Sequence, residues 1–322
     1  MLDLILVNLT SPMVLFFALG LGAALARSDL SVPEAVAKTL ALYLMMAIGF
    51  KGGAGMAAHG LDGTLLASLL AGAVLSFFIP LLAFLALKTT TKLPVIDAAA
   101  VAAHYGSISI VTFVAATQAI TSLGLTHEGY LVAVAAVMET PAILSALWLV
   151  AKVGGKRSDD GDQGLFREIA LNGSIVMLTG AFIIGWITGE AGLEKIAPFI
   201  IDPFQGVLCL FLLDMGLVAG RGLRQGWREL KVPVVAFGLY MPVVSAVLAA
   251  LMVWAIPLSV GGTALMITLA ASASYIAVPA AMRLALPEAR PAIYLTLSLG
   301  VTFPFNLTLG IPLYVAIAEM LR

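Results

Sequence analysis

Long apolar stretches recur along the whole chain and limit its possible folds more strongly than any other feature. A helix of about 20 apolar residues crosses the roughly 30 Å hydrocarbon core of a bilayer. Ten such stretches occur, numbered here as spans 1 to 10: residues 9–26, 34–56, 64–87, 94–120, 129–153, 168–188, 196–220, 232–255, 262–284 and 290–320. Lipid offers no hydrogen bonds to an open backbone, so these stretches must be helical. The sequence therefore predicts an all-α polytopic membrane protein with ten transmembrane helices.

The composition excludes a soluble globular protein. Of the 322 residues, 61% are hydrophobic and 11% are charged, whereas a soluble domain carries about 25% charged residues. The formal net charge is −1, and no basic patch indicates a nucleic-acid partner. Cys209 and the three scattered histidines form neither a disulfide framework nor a metal-ligand spacing. We therefore expect no resident cofactor.

Basic residues are distributed unevenly among the loops between the spans. With the N-terminus outside, the inner loops hold 14 of the 17 Lys and Arg residues. The other three are Lys51, Lys195 and Arg322. Cytoplasmic loops of membrane proteins are enriched in Lys and Arg. No basic residue precedes Arg27, so the first stretch lacks the basic start of a cleaved signal peptide. We predict a multi-pass protein of the cell (inner or plasma) membrane, with both termini outside.

The chain contains a weak internal repeat on either side of a polar stretch at residues 154–163. Residues 48–56 of span 2 match residues 215–223 of span 7 with coinciding glycines at three positions, and Pro141 of span 5 corresponds to Pro304 of span 10. We predict a first five-helix repeat at 1–153, a cytoplasmic linker at 154–167 and a second repeat at 168–322. Five spans are an odd number, so the second repeat is inverted, as in many secondary transporters. The alternative is chance similarity between Gly-rich helices.

Spans 4 and 9 each carry a polar cluster near the middle of the bilayer. Gly106 lies about 18 Å from the start of span 4, and Ser272 lies about 15 Å from the start of span 9, at about 1.5 Å per residue. Irregular backbone at this depth is tolerated where it is buried in protein or lines a cavity. We therefore predict that helices 4 and 9 are interrupted. The alternative is that their small residues only permit close helix packing.

Two interrupted helices that face each other offer a site for an ion pair. Amide groups at helix starts bind anions, while carbonyl and hydroxyl oxygens suit a small cation such as Na⁺. The candidate substrate-binding residues are Tyr105, Gly106, Ser107, Ser109, Ser272, Ala273, Ser274 and Tyr275. The candidate sodium ligands are Ser109, Thr112, Ser274 and Glu139.

Other polar residues within the spans allow more than one interpretation. Glu139 either holds Na⁺ or a proton or pairs with a neighbouring helix, because ionisable groups within spans are costly. We expect Asp97 to favour the first turn of span 4 and His104 to be a packed neutral imidazole. Lys51 either reaches the outer surface or pairs with Asp214. The sequence leaves Thr302 and Asn306 equally compatible with ligand binding and with packing.

The motifs of spans 4 and 9 resemble those of a known family. Asp97 with the run 105–113 (YGSISIVTF) resembles span 4 of the cyanobacterial sodium-dependent bicarbonate transporter family. The run 270–279 (AASASYIAVP) is similar to that family's second broken helix. Residues elsewhere also fall where the family has the same residue type, at Met138, Pro141, Arg283, Pro287, Pro304 and Pro312. The chain departs from the family pattern at Tyr275 and Glu139, where the family has aspartate, and its linker is shorter.

The resemblance, which covers nearly the whole chain, implies a function and partners. Family members have a core and a gate domain, are usually trimeric and import bicarbonate with sodium, binding it between the two helix breaks. The family also suggests a regulatory PII-like partner. We therefore expect a sodium-dependent bicarbonate symporter in the lipid bilayer, with Na⁺ as coupling ion.

Three other functions remain to be compared with bicarbonate symport. A carrier of the same architecture would transport another small anion, such as a monocarboxylate, or couple to protons through Glu139. An anion channel would conduct without saturation or coupling. An intramembrane enzyme would need a catalytic dyad at membrane depth, and the sequence has no HExxH motif or GxSxG nucleophile elbow. We therefore do not expect an enzyme.

Overall fold

A computed structural model describes most of the chain, namely residues 6, 9–60, 62–153, 173–226, 230–275, 278–279, 282, 286 and 288–322. Within these residues, helix is the only regular secondary structure. The predicted linker at 154–167 lies outside the described residues, as do Arg283 and Pro287.

The described helices follow the apolar stretches of the sequence. Their bounds are α1 Pro12–Leu25, α2 Glu34–His59, α3 Gly63–Thr90, α4 Val95–Gly106, α5 Ile110–Ser122, α6 Leu131–Val137, α7 Glu139–Val153, α8 Gly173–Ile200, α9 Phe204–Gly226, α10 Val232–Val253, α11 Val260–Ala271 and α12 Pro291–Leu321. In the described part of the chain, seven helices are long and apolar enough to cross a membrane, when α4 and α5 are taken together. Helices α1 and α11 are shorter apolar helices. The multi-pass membrane architecture is confirmed, and the count of ten crossings stays a prediction.

The boundary between spans 6 and 7 differs from the sequence-based expectation. Helix α8 continues to Ile200 through a kink at Gly189, whose φ of 60° is a conformation that favours glycine. Helix α9 begins at Phe204, so the predicted start of span 7 at residue 196 is wrong. Hydropathy did not detect the boundary because the residues before Phe204 are also largely apolar.

Side-chain oxygen atoms cap the starts of several helices by accepting hydrogen bonds from backbone amides. The Asp62 carboxylate accepts a hydrogen bond of 2.8 Å from the Leu65 amide at the start of α3. The Ser259 hydroxyl accepts one of 3.0 Å from the Gly262 amide at the start of α11. Such caps satisfy amides that have no partner within the helix. They therefore fix where α3 and α11 begin.

Helices α1, α2, α8 and α9, which we call the panel group, form two closely packed pairs. In the α1–α9 pair, a Cβ atom on Gly216 would lie 2.1 Å from the Phe17 carbonyl oxygen. In the α2–α8 pair, a Cβ atom on Gly53 would lie 1.9 Å from the Phe182 carbonyl oxygen. Small residues allow such close approach in membranes, where dispersion contacts replace the hydrophobic effect. Two of the three matched glycine pairs, Gly49 with Gly216 and Gly53 with Gly220, therefore serve the same purpose in both spans.

Helices α3 to α7 and α10 to α12, which we call the core group, surround the interrupted helices. Helix α3 packs against α4 and α7, while α10 packs against α11 and α12. Every residue of α4 from Asp97 to Gly106 is buried, as is every residue of α11 from Gly261 to Ala271. The two helices that end at the predicted polar clusters therefore lie at the centre of the protein.

Helix α12 is irregular in its middle. Two π-helical segments, Ser298–Thr302 and Asn306–Gly310, flank the short segment that contains Pro304. Proline has no amide hydrogen and interrupts regular helix bonding, and π segments often occur at functional sites. The irregularity puts Thr302 and Asn306 beside the interrupted helices.

Candidate functional site

The break in span 4 lies at the predicted residues. Helix α4 ends at Gly106, Ser107 and Ser109 are extended with φ/ψ of −89°/149° and −101°/107°, and α5 begins at Ile110. A Cβ atom on Gly106 would lie 2.1 Å from the Cγ atom of Pro80 on α3. Close contact with α3 therefore requires a glycine where α4 ends. The predicted interruption of helix 4 is confirmed.

The break in span 9 also begins at the predicted residues. Helix α11 ends at Ala271, and Ser272 is extended with φ/ψ of −86°/165°. Residues 272–275 are not helical, and residues 276 and 277 lie outside the described part of the chain. Val278 and Pro279 are again helical. The described residues thus agree with an interruption after Ala271.

The two breaks contact each other through buried hydrogen bonds. The Ser109 amide donates to the Ser272 hydroxyl at 2.9 Å. The Ser274 amide donates to the His104 carbonyl at 2.7 Å. Each broken helix thus supplies an acceptor to an amide at the break of the other, and all four residues are buried. We call this contact the crossing point.

Hydroxyl groups cluster where α5 begins at the crossing point. The Ser109 hydroxyl caps α5 by accepting a hydrogen bond of 3.2 Å from the Thr112 amide. It also accepts one of 2.9 Å from the Thr112 hydroxyl. The Tyr275 hydroxyl lies close to the Ser109 side chain and makes no well-directed hydrogen bond within the described residues. Two predicted sodium ligands and one predicted substrate ligand therefore share this position.

Glu139 joins the crossing point through Ser107. The Ser107 hydroxyl donates to Glu139 Oε2 at 2.5 Å, and both residues are buried. Glu139 is the first residue of α7, directly after the irregular position at Met138 that separates α6 from α7. The Ser76 hydroxyl of α3 donates to the Met138 carbonyl and holds this second irregularity in place. Glu139 has no ion-pair partner among the described residues.

Side chains of α12 support the ends of both interrupted helices. The hydroxyls of Tyr105 and Thr302 lie 2.6 Å apart, and Thr302 donates to the Gly238 carbonyl of α10 at 2.8 Å. Asn306 donates through Nδ2 to the Ala271 carbonyl at 2.9 Å, which caps the end of α11. Tyr314 in turn donates to Asn306 Oδ1 at 2.6 Å. The sequence left the roles of Thr302 and Asn306 open, and the contacts show that both position the breaks.

Two polar contacts attach the starts of α4 and α11 to loops that are distant in the sequence. Arg290 donates to the Asp97 carboxylate from its backbone amide at 2.9 Å and from its guanidinium at 3.0 and 2.8 Å. Glu128 accepts a bond of 2.6 Å from the Ser259 amide at the start of α11. Asp97 therefore does more than favour the first turn of its helix. Sequence reasoning missed Glu128, although its position before span 5 corresponds to that of Arg290 before span 10.

The side chains of Lys51 and His104 make other contacts. Lys51 Nζ lies 5.4 Å from the centroid of the Phe204 ring and forms no ion pair with Asp214, so the proposed alternative pairing does not occur. His104 stacks on Tyr294 at 4.6 Å, and its Nδ1 lies 2.6 Å from the Ala100 carbonyl oxygen. These contacts fit the expected packed imidazole.

Comparison with known proteins gives a match over almost the whole chain. Residues 12–319 match the family described as the Na⁺-dependent bicarbonate transporter superfamily. A search of curated proteins returned no match. The matched residues include both breaks, Glu139 and the supporting side chains of α12. A match over almost the whole length means that this chain belongs to the Na⁺-dependent bicarbonate transporter superfamily.

Proposed function

We propose that the protein is a sodium-dependent bicarbonate symporter that works by alternating access. Membership of a transporter family makes it a transporter and not an enzyme. The observation that carries the more specific proposal is the crossing point, where two interrupted helices meet beside a buried carboxylate. Interrupted helices that meet near the bilayer midplane are how many secondary transporters bind substrate and coupling ion.

Helix starts at the crossing point suit a small anion. The amides of Ile110 and Val111 belong to the first turn of α5, where amides have no acceptor within the helix. Such amides and the helix dipole favour negative charge without an arginine. A bicarbonate ion needs only a few donors. We assign its binding to Tyr105, Gly106, Ser107, Ser109, Ser272, Ala273, Ser274 and Tyr275.

Oxygen atoms beside the helix starts suit Na⁺, which prefers hard ligands. We assign sodium binding to Ser109, Thr112, Ser274 and Glu139. The hydroxyls of Ser109 and Thr112 are 2.9 Å apart, and Glu139 contacts the break through Ser107. A buried charge is costly unless an opposite charge compensates it. Sodium would offset the charge of the anion, so each ion would bind weakly without the other.

The packing pattern supports an inverted repeat of five and five helices. Exchange of the two halves converts the α1–α9 pair into the α8–α2 pair, and both pairs approach through glycine. The same exchange converts the contact of α3 with α4 into that of α10 with α11. It also relates the Asp97–Arg290 contact to the Glu128–Ser259 contact. Both repeats thus contribute to the panel group and to the core group.

Movement of the core group against the panel group would expose the crossing point to each side in turn. We extend the proposal to a homotrimer, as the family resemblance implies. It would lie in the cell membrane with both termini outside, as the distribution of basic residues implies. The 154–167 linker would face the cytoplasm, where a PII-like regulatory protein would have access to it.

Uptake by the purified protein tests the proposal. We expect proteoliposomes to accumulate labelled bicarbonate when sodium is outside, and we expect choline in place of sodium to abolish accumulation. The rate should saturate with bicarbonate concentration. Uptake that is unchanged in choline would overturn sodium coupling, and conductance without saturation would indicate a channel.

Proton coupling is the second candidate, and Glu139 favours it. A buried carboxylate without an ion-pair partner among the described residues is suited to bind a proton as well as Na⁺. Uptake driven by an inward pH gradient in sodium-free medium would identify this mechanism. Competition by small monocarboxylates against labelled bicarbonate would show whether the substrate is another anion.

A further inference from the structure

A cavity of about 160 Å³ lies between the panel group and the core group. Helices α2 and α9 form one wall, while α5, the loop at 127–129 and Val132 of α6 form the other. Phe113 and Val114 of the cavity wall directly follow Thr112, in the first two turns of α5. One wall of the cavity is thus the helix that begins at the crossing point.

Lys51 contributes a positive charge to this cavity. Its ammonium group lies near the ring of Phe204, which closes the cavity on the panel side. No carboxylate among the described residues forms an ion pair with it. Thr117, Gln118 and Thr121 add polar side chains from α5 on the opposite wall. The lining therefore combines one cation with several neutral hydrogen-bonding groups.

The lining contains two further titratable residues, Glu128 and His127. Both carboxylate oxygens of Glu128 accept hydrogen bonds from Ser259, at 2.6 and 3.1 Å. Its charge therefore faces the positive end of the α11 dipole. Burial lowers the pKa of His127 below its usual range, so this imidazole is neutral at neutral pH. Lys51 is consequently the one cationic side chain among the described residues of the lining.

We infer that this cavity is an outer waiting site that attracts a small oxyanion to Lys51 before the anion reaches the crossing point. A cationic side chain in a concave site attracts anions and raises their local concentration. The identity of the anion as bicarbonate rests on the proposed function. The attraction of an anion to Lys51 does not.

Thiol modification measures this attraction without any transport assay. We would place Gln118→Cys in a Cys209→Ala background, with and without Lys51→Gln, in sealed right-side-out vesicles. The modification rates of a sulfonate-bearing and a trimethylammonium-bearing methanethiosulfonate are then compared. We expect Lys51→Gln to lower the ratio of the anionic to the cationic rate by about tenfold. The matched control is Lys195→Gln, which removes an exposed lysine of α8 that does not line the cavity; it should leave the ratio unchanged.

Transport kinetics test whether the transported anion passes through this cavity. We expect Lys51→Gln to raise the half-saturating bicarbonate concentration by about 3- to 10-fold with little change in maximal rate, and Lys51→Arg to restore it. An unchanged rate ratio, or an unchanged half-saturating concentration, would overturn the inference. If the protein carries no bicarbonate and the reagent ratio still falls, the proposed function fails while the anion-attracting cavity stands. Elution as a single folded species confirms that each variant is intact.

Discussion

Glu139 is the residue whose chemistry most directly links the structure to the proposed sodium coupling. Its carboxylate is buried beside the crossing point and accepts a hydrogen bond from Ser107. Taking an ionised carboxylate out of water costs several kcal/mol unless a counter-charge is present. A bound cation would supply that counter-charge. The position of Glu139 therefore supports the proposal that this carboxylate is a sodium ligand.

Replacement of Glu139 tests whether its negative charge contributes to sodium binding. Glu139→Gln keeps an oxygen that accepts from Ser107 and removes the negative charge. We expect the half-saturating sodium concentration for uptake to rise about tenfold or more, since about 1.4 kcal/mol of lost binding corresponds to a factor of ten. The matched control, Glu194→Gln at an exposed position of α8, should behave like the unaltered protein. Unchanged sodium dependence of Glu139→Gln would rule out this carboxylate as a sodium ligand.

Asn306 carries a structural role that can be measured separately from transport. Its Nδ2 donates to the Ala271 carbonyl at the end of α11. Asn306→Leu leaves this buried carbonyl without a partner, which should lower the free energy of unfolding by about 1–3 kcal/mol. Denaturant unfolding in mixed micelles provides the measurement. Thr188→Val, which removes an exposed hydroxyl that bonds within its own helix, should change stability by much less.

At the level of the helices, glycine decides how the panel group is assembled. The α1–α9 pair approaches so closely that Gly216 has no room for a side chain. Membrane helices gain no hydrophobic effect from association, so their stability depends on close packing. Loss of one such contact should therefore separate the pair and leave the individual helices formed.

Two glycines of α9 provide a matched test of this packing. A Cβ atom on Gly216 would collide with the α1 backbone, whereas one on Gly206 would meet nothing within 4 Å. We expect Gly216→Leu to destabilise the fold by about 1–3 kcal/mol or more and Gly206→Leu to be tolerated. Thermal aggregation in detergent, compared at equal expression, checks this. Equal melting of the two variants would mean that the close approach does not contribute to stability.

At the level of the whole molecule, two groups of helices enclose a polar centre. The core group contains the crossing point, and the cavity with Lys51 lies between it and the panel group. Three aromatic rings bridge the groups at another position. The ring centroids of Tyr275 and Phe303 are 5.4 Å apart, and those of Phe303 and Phe17 of α1 are 5.2 Å apart. The two groups therefore meet through a cavity and through packed rings. Such an arrangement would suit the relative movement of the two groups that we propose for transport.

The orientation of the molecule in the membrane is testable with single cysteines. In a Cys209→Ala background, Glu190→Cys lies at the kink of α8 that we expect outside, and Ser158→Cys lies in the linker that we expect inside. An impermeant thiol reagent applied to intact cells should label the first and not the second. Labelling of Ser158→Cys before permeabilisation would invert the predicted topology.

Hydropathy and small polar clusters determined much of this protein without its tertiary structure. Apolar stretches specify membrane helices because lipid leaves the backbone no other means of satisfying its hydrogen bonds. The clusters at Ser107–Ser109 and Ser272–Ser274 marked where two helices stop, because short hydroxyl side chains compete with helical bonding. The family motifs occur in these same clusters.

Only the tertiary structure decided which of these groups meet. Ser109 and Ser272 are 163 residues apart, and no local pattern specifies a bond between them. The same holds for Asn306 capping α11, for Arg290 pairing with Asp97, and for Lys51 facing a cavity instead of Asp214. Such contacts depend on how helices from both halves pack, and packing depends on shape summed over many distant residues. Hydropathy records the environment of each residue, whereas the choice of partner is a property of the folded chain.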